Sequence, residues 1–237
     1  KIALSGYQGP VHLSVPVDIM FSSFPADAQL DERPHLHAPR PAPRAWPDPD
    51  DLQTVISTLQ KSERPILIGG HGVWWSGAEA KLEEAGKTLG IPIFNIPYHQ
   101  KLLPETSAAY MGLADIHQYG PSAKALQEAD VVVMVGGRLD NQMNFGNPPL
   151  FPASCELICV NGSAEEAELN RAADQILLSD PSAFFDALLD LSASGVWQEK
   201  GDWMERQRRQ RGEWVAQTLA EMAQDMTPGQ GAHPLQL

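Results

Sequence analysis

Two short apolar runs, each flowing straight into glycines, constrain this chain most. Pro65-Ile66-Leu67-Ile68 leads into Gly69-Gly70-His71-Gly72, and Val131–Val135 leads into Gly136-Gly137-Arg138. Runs of four or five apolar, largely β-branched residues are the length of buried strands, too short for buried helices. Between such runs lie stretches of about ten residues with helical spacing. Strands buried on both faces and separated by helices specify an α/β fold with a doubly wound, mainly parallel sheet of about six strands, Rossmann-like.

The remaining elements follow from the same rules. Leu52, Val55, Ile56 and Leu59 sit at i, i+3, i+4 and i+7, giving a helix over about 50–60 with Asp48 and Asp50 as cap candidates. A helix over 76–89 stops at Gly90, and Ile91–Phe94 is the second strand. Residues 97–107 read as a loop, with Gly112 marking another turn. Helix 121–128 leads into strand 131–135. A loop with Gly146-Asn147-Pro148-Pro149 precedes strand 156–160, helix 164–170, strand 175–178 and helix 181–191. A long polar helix spans 201–226, with Trp203, Trp214, Leu219 and Met222 as its apolar sites. Upstream, Val11–Val17 alternates as a strand candidate, although Pro16 argues against a central place in a sheet. Six prolines within 34–49 form an extended spacer. The expected domains are 1–25, the end of a preceding domain; 26–47, a proline-rich linker; 48–192, the α/β domain; and 193–237, a helix and linker leading onward. Lys1 and His233–Leu237 read as cuts from something longer.

Composition removes several functions. Thirty acidic against 17 basic residues give a net charge of −13, the wrong sign for holding a nucleic-acid backbone. No apolar stretch is long enough to cross a bilayer, so no membrane partner is expected. Cys155 and Cys159 fit neither a disulfide framework nor a zinc pattern and read as packed thiols of a cytoplasmic protein. The histidines do not cluster, and His71, His99 and His117 stand singly, so no metal site is expected. Glu165, Glu166 and Glu168 read as a solvated helix face, and Arg206, Arg208, Arg209 and Arg211 as a helix face pairing with nearby glutamates.

Three places could carry binding chemistry. Gly70, His71, Gly72 and Val73 follow the first strand, where glycines allow a phosphate to approach backbone amides; the alternative is a tight turn without a ligand. The nicotinamide-dinucleotide fingerprint is absent, because Trp74-Trp75 breaks the spacing and the second strand ends at Phe94-Asn95 without an acid. Arg138, just past strand 131–135, could grip a phosphate or form a salt bridge with Asp140 or a neighbouring domain. Asn161 and Gly162 end the next strand, where a polar side chain could meet a ribose hydroxyl; Ser163 suits a helix N-cap. No complete set of catalytic groups is present.

The order of segments resembles a known family. Gly9-Pro10-Val11-His12-Leu13-Ser14-Val15-Pro16-Val17-Asp18 is similar to the strand that closes the first domain of thiamine-diphosphate enzymes of the acetolactate synthase type. Arg64–Val73 with Ser76-Gly77-Ala78 resembles the opening of their central domain, and Gly90-Ile91-Pro92-Ile93 its second strand. Ala129–Leu139 resembles their ADV-h-h-h-h-G-x-R-L block. Phe145-Gly146-Asn147-Pro148-Pro149-Leu150-Phe151 looks like the FGxPPxF segment of the 2-hydroxyacyl-CoA lyase and oxalyl-CoA decarboxylase branch. The resemblance implies a central domain of a carbon–carbon lyase or synthase acting on 2-keto acids or 2-hydroxyacyl-CoA and oxalyl-CoA substrates. It would be inactive alone and would belong to a homodimer or homotetramer. The activating glutamate and the Gly-Asp-Gly…Asn motif that serve thiamine diphosphate and Mg²⁺ lie in the family's other two domains. It further implies that FAD or ADP could sit at Gly70, His71, Gly72, Val73, Arg138, Asn161 and Gly162. Relatives usually carry Asp at position 161, and an amide accepts ribose hydroxyl bonds less well. A stand-alone nucleotide-binding module resembling an electron-transfer flavoprotein domain is the alternative.

Overall fold

The computed structural model describes residues 3, 9–23, 43–97, 101–117, 120–193, 197 and 200–224. The chain divides into two compact units, 1–44 and 45–237. In the first unit, residues 10–16 form no strand, and helix α1 spans Val17–Met20. The expected strand at 11–17 is therefore not found. A strand exists only through a neighbour's hydrogen bonds, and none pairs with this segment among the described residues. Pro16 instead becomes the residue before a helical turn, and the Ser22 hydroxyl donates to the carbonyls of Asp18 and Ile19.

The second unit carries a six-stranded sheet in the order β3-β2-β1-β4-β5-β6, every neighbouring pair parallel. The strands are β1 Pro65–Gly69, β2 Ile93–Asn95, β3 Tyr110–Leu113, β4 Val131–Val135, β5 Glu156–Asn161 and β6 Gln175–Leu178. Central β1 and β4 are buried at every position. The edge strand β6 leaves Leu178 half exposed. Burial on both faces is what the unbroken apolar runs require.

Each helix starts and stops for a local reason. In α2, Pro49–Lys61, the Asp48 carboxylate accepts the amide of Asp50 at 2.9 Å, and Pro49 has no amide to satisfy. Its Leu52, Val55, Ile56 and Leu59 are buried as spaced. The expected helix 76–89 begins three residues late, as α4 Glu79–Leu89, and a break separates it from a short helix, α3 His71–Trp75, that lies upstream of the expected span. The break falls at Gly77, whose φ of +63° no helix accepts, while Gly90 ends α4 at φ +69° as expected. Gly112 marks no turn: at φ +123° it lies inside β3, where pairing with β2 shifts register. Helix α5 is Gly120–Glu128. Helix α6 is Ala164–Ala167, shorter than expected, and α7 is Pro181–Ala193. The Asp180 carboxylate accepts the amides of Ser182 and Ala183 at the start of α7.

Helix α8, Gly201–Gln224, buries Trp203, Met204 and Gln207 in its first half, and in its second half the half-exposed Trp214 ring lies against Gly120. Trp203 is buried and its indole N–H donates to the Pro65 carbonyl at 2.9 Å, whereas Trp214 and Leu219 are exposed. Three of the four arginines expected to pair with glutamates do so: Arg206 with Glu128 at 3.8 Å, Arg208 with Glu205 at 3.2 Å, and Arg211 with Glu105.

At the switch point between β1 and β4, the two following loops meet backbone to backbone. A Cβ on Gly70 would lie 2.4 Å from the Gly137 Cα and 2.6 Å from the Gly136 carbonyl oxygen; one on Gly72 would lie 2.7 Å from the Gly136 Cα. A Cβ on Gly162 would meet nothing within 4 Å. Backbone cannot rotate away as a side chain can. Gly70→Ala and Gly72→Ala are each expected to cost roughly 3 kcal/mol of stability, and Gly162→Ala to leave it unchanged, as read by urea denaturation. Equal losses at Gly70 and Gly162 would refute the close-packing account.

Candidate functional site

The loops after β1, β4 and β5 converge at the carboxyl ends of the strands, where open α/β sheets bind their ligands. Gly70, His71, Gly72 and Val73 form the end of β1 and the first turn of α3. Three of their four amides donate within the protein: Gly70 to the Val135 carbonyl at 2.9 Å, Gly72 to Gly136 at 2.7 Å, and Val73 to Gly70 at 3.1 Å. The Val73 side chain is fully buried. The exposed pair Trp74 and Trp75 pack edge to face, with ring centroids 4.6 Å apart.

Arg138 stands half exposed past the end of β4, and its partner is Glu166 of α6, Nη1 to Oε2 3.5 Å. That overturns the reading of Glu166 as part of a solvated face: its side chain is only 15 % exposed. Asp140, the partner weighed from the sequence, instead accepts the Gln142 amide at 3.0 Å and caps the 3-10 segment Asn141–Gly146. His71 lies within the field of both groups. Burial holds its pKa below the usual 6.5, Arg138 lowers it further, and Asp140 opposes the shift.

Asn161 is buried at the end of β5 with both ends of its amide engaged. Its Nδ2 donates to the Gly137 carbonyl at 3.1 Å, and its Oδ1 accepts the Ser163 amide at 3.2 Å. Asn161 thus ties the β4 loop to the β5 loop. Ser163 occupies the cap position of α6 without a side-chain bond, so the capping expected of its hydroxyl is not found. Gly162 is exposed.

Sequence reasoning missed Asn95. It ends β2, is 2 % exposed, and neither side-chain polar atom has a hydrogen-bond partner. The available signal was a polar residue closing an apolar strand, the same signal that singles out Asn161. The segment from 144 to 146 is also unusual. Asn144, Phe145 and Gly146 all have positive φ, at 49°, 54° and 77°. Left-handed backbone at two non-glycine residues costs about 1–3 kcal/mol each. Local bonds hold it: the Asn144 amide donates to the Asn147 and Pro148 carbonyls, and Arg171 donates to the Gly146 carbonyl at 2.8 Å.

Other side chains are inert. Burial pushes the Cys155 and Cys159 thiols up to about 12, and both are free and buried, in accord with packed thiols. Among the described residues no three His, Cys, Asp or Glu side chains gather as metal ligands, and no helix is long and apolar enough to cross a membrane. His99 lies outside the described residues.

The charge order at this edge is testable. His71 is harder to protonate folded than unfolded, so stability rises with pH through 6.5 and falls as pH drops below it. Arg138→Gln removes a nearby cation and is expected to raise the His71 pKa in an NMR titration, flattening that slope; no change would show that the two do not interact. Asn161→Asp loses the donor to Gly137 and is expected to cost about 2 kcal/mol in chemical denaturation.

The chain is similar to known proteins along most of its length. Residues 52–188 match the family described as thiamine pyrophosphate enzyme, central domain. A 2-hydroxyacyl-CoA lyase of Arabidopsis thaliana is 30% identical over 175 residues, covering 71% of this chain and 28% of that protein. Oxalyl-CoA decarboxylase of Escherichia coli (strain K12) is 26% identical, covering 80% and 32%. A probable acetolactate synthase large subunit of Methanocaldococcus jannaschii is 25% identical, covering 87% and 34%. The crystal structure of benzoylformate decarboxylase from Polynucleobacter necessarius superposes with a TM-score of 0.60 at 24% identity, over 80% of this chain and 34% of that one, which shows the fold. The chain spans about a third of the length of the curated relatives it matches. With its 3-2-1-4-5-6 parallel sheet and its match over most of that sheet, the chain belongs to the thiamine pyrophosphate enzyme central-domain family.

Proposed function

We propose that this chain serves as the structural central domain of a thiamine-diphosphate-dependent carbon–carbon lyase or synthase. The substrates would be 2-keto acids or 2-hydroxyacyl-CoA and oxalyl-CoA compounds, the classes suggested by the names of its relatives. The two further domains of the active enzyme, and its assembly as a dimer or tetramer, are part of the same reading. The single observation behind the structural role is the glycine contact at the switch point, where the loops pack on each other.

Thiamine diphosphate, when bound by the whole enzyme, supplies the nucleophilic carbon that attacks the substrate carbonyl. The residues of this chain do not fit the group. The sequence has no Gly-Asp-Gly motif, and no cluster of metal-ligating side chains occurs among the described residues. The chain's contribution is to hold flanking parts of the enzyme in place.

The residues do not fit FAD or ADP well either. Of the four amides from Gly70 to Val73, three already donate within the protein. Asn161 spends both ends of its amide on the backbone, and Arg138 faces Glu166. Calorimetric titration of FAD, ADP and CoA into the 237-residue chain is expected to give flat traces. The chain supplied with thiamine diphosphate, Mg²⁺ and a 2-keto acid is expected to show no turnover. Tight FAD binding would favour the nucleotide-binding module instead, and turnover would overturn the structural role.

A further inference from the structure

Arg138 stands where a parallel sheet presents a cation to a ligand's phosphate, and a carboxylate from this chain is already there. Glu166 reaches Arg138 at 3.5 Å from α6, on the far side of β5 in sequence. Its side chain is 15 % exposed, and its Oε2 is buried without a hydrogen bond. A buried carboxylate is costly unless a cation faces it. The other acid of this edge, Asp140, is spent on the Gln142 amide. Glu166 is thus a carboxylate placed to balance Arg138.

We propose that Glu166 is a built-in anion that occupies the position a ligand phosphate would take beside Arg138, closing this edge to pyrophosphate groups. This rests on the structural reading of the domain given above. An incoming phosphate would have to displace Glu166 from Arg138 or lie beside it, anion against anion. Three of the four neighbouring amides, those of Gly70, Gly72 and Val73, donate inward and do little to offset that repulsion. His71 reports on this edge, since burial first and then the Arg138 charge hold its pKa down.

The test is calorimetry of inorganic pyrophosphate and of ADP with the full chain, as wild type, Glu166→Gln and the double variant Arg138→Gln/Glu166→Gln. Glutamine keeps the shape and removes the charge. The wild type is expected to give no binding heat, Glu166→Gln to bind at least about tenfold more tightly, as one charge-assisted contact allows, and the double variant to lose that gain. If wild type and Glu166→Gln are both flat, the proposal fails while the structural reading stands. If the wild type binds as tightly as Glu166→Gln, both fail. Should Glu166→Gln not fold, as judged by circular dichroism, the wild-type His71 resonance decides. Its pKa is expected to stay constant as pyrophosphate is added, and a rise would place an external anion beside Arg138 and overturn the proposal.

Discussion

The close approach of the loop after β1 to the loop after β4 is the constraint on which the rest of the unit depends. These strands are the middle of the sheet, and the chain turns in opposite directions from them. Side chains on the turning residues would force the loops apart. Glycine removes that obstacle, and the amides of Gly70 and Gly72 then bond across to Val135 and Gly136. The amide of Gly136 continues the chain of contacts to Val160 on β5. Three central strands are thus stitched at their carboxyl ends by backbone alone.

Side chains extend the stitching outward. Asn161 reaches back to the Gly137 carbonyl, and Asn170 donates to the Leu139 carbonyl. Arg171 joins Gly146 to Cys155. Each bond joins segments that are distant in sequence. Donors engaged in this way are turned toward the protein's own backbone.

Local signals recovered the sheet well. Strands 131–135 and 175–178, the stop at Gly90 and the helix from 49 to 61 follow directly from apolar runs, spacing and caps. The failures share a cause. Glycine reads as punctuation, so Gly112 conceals β3, while the turn at Gly77 delays the helix expected from 76 until Glu79. The strand expected at 11–17 failed because strand formation depends on a partner that sequence alone does not supply. At the site, the glycines and Arg138 were visible as strand ends. The Arg138–Glu166 pair was not, because which of Glu165, Glu166 and Glu168 turns inward depends on how α6 lies against β5. Asn95 was passed over because a single amide at a strand end resembles a loop residue.

The asymmetry of α8 makes that helix a lever. It is anchored near one end by the bond from Trp203 to Pro65, with Lys200 donating to the carbonyls of Gln60 and Ser62 beside it. At about 1.5 Å per residue, Gln224 lies about 30 Å along the axis from Trp203. A few degrees of tilt at the anchored end becomes an ångström or more at the other. The direction of the helix is therefore set by its hold on the amino-terminal end of the central strand β1, opposite the glycine-packed edge, and by the seat of Trp214 against Gly120, beyond which the last turns extend.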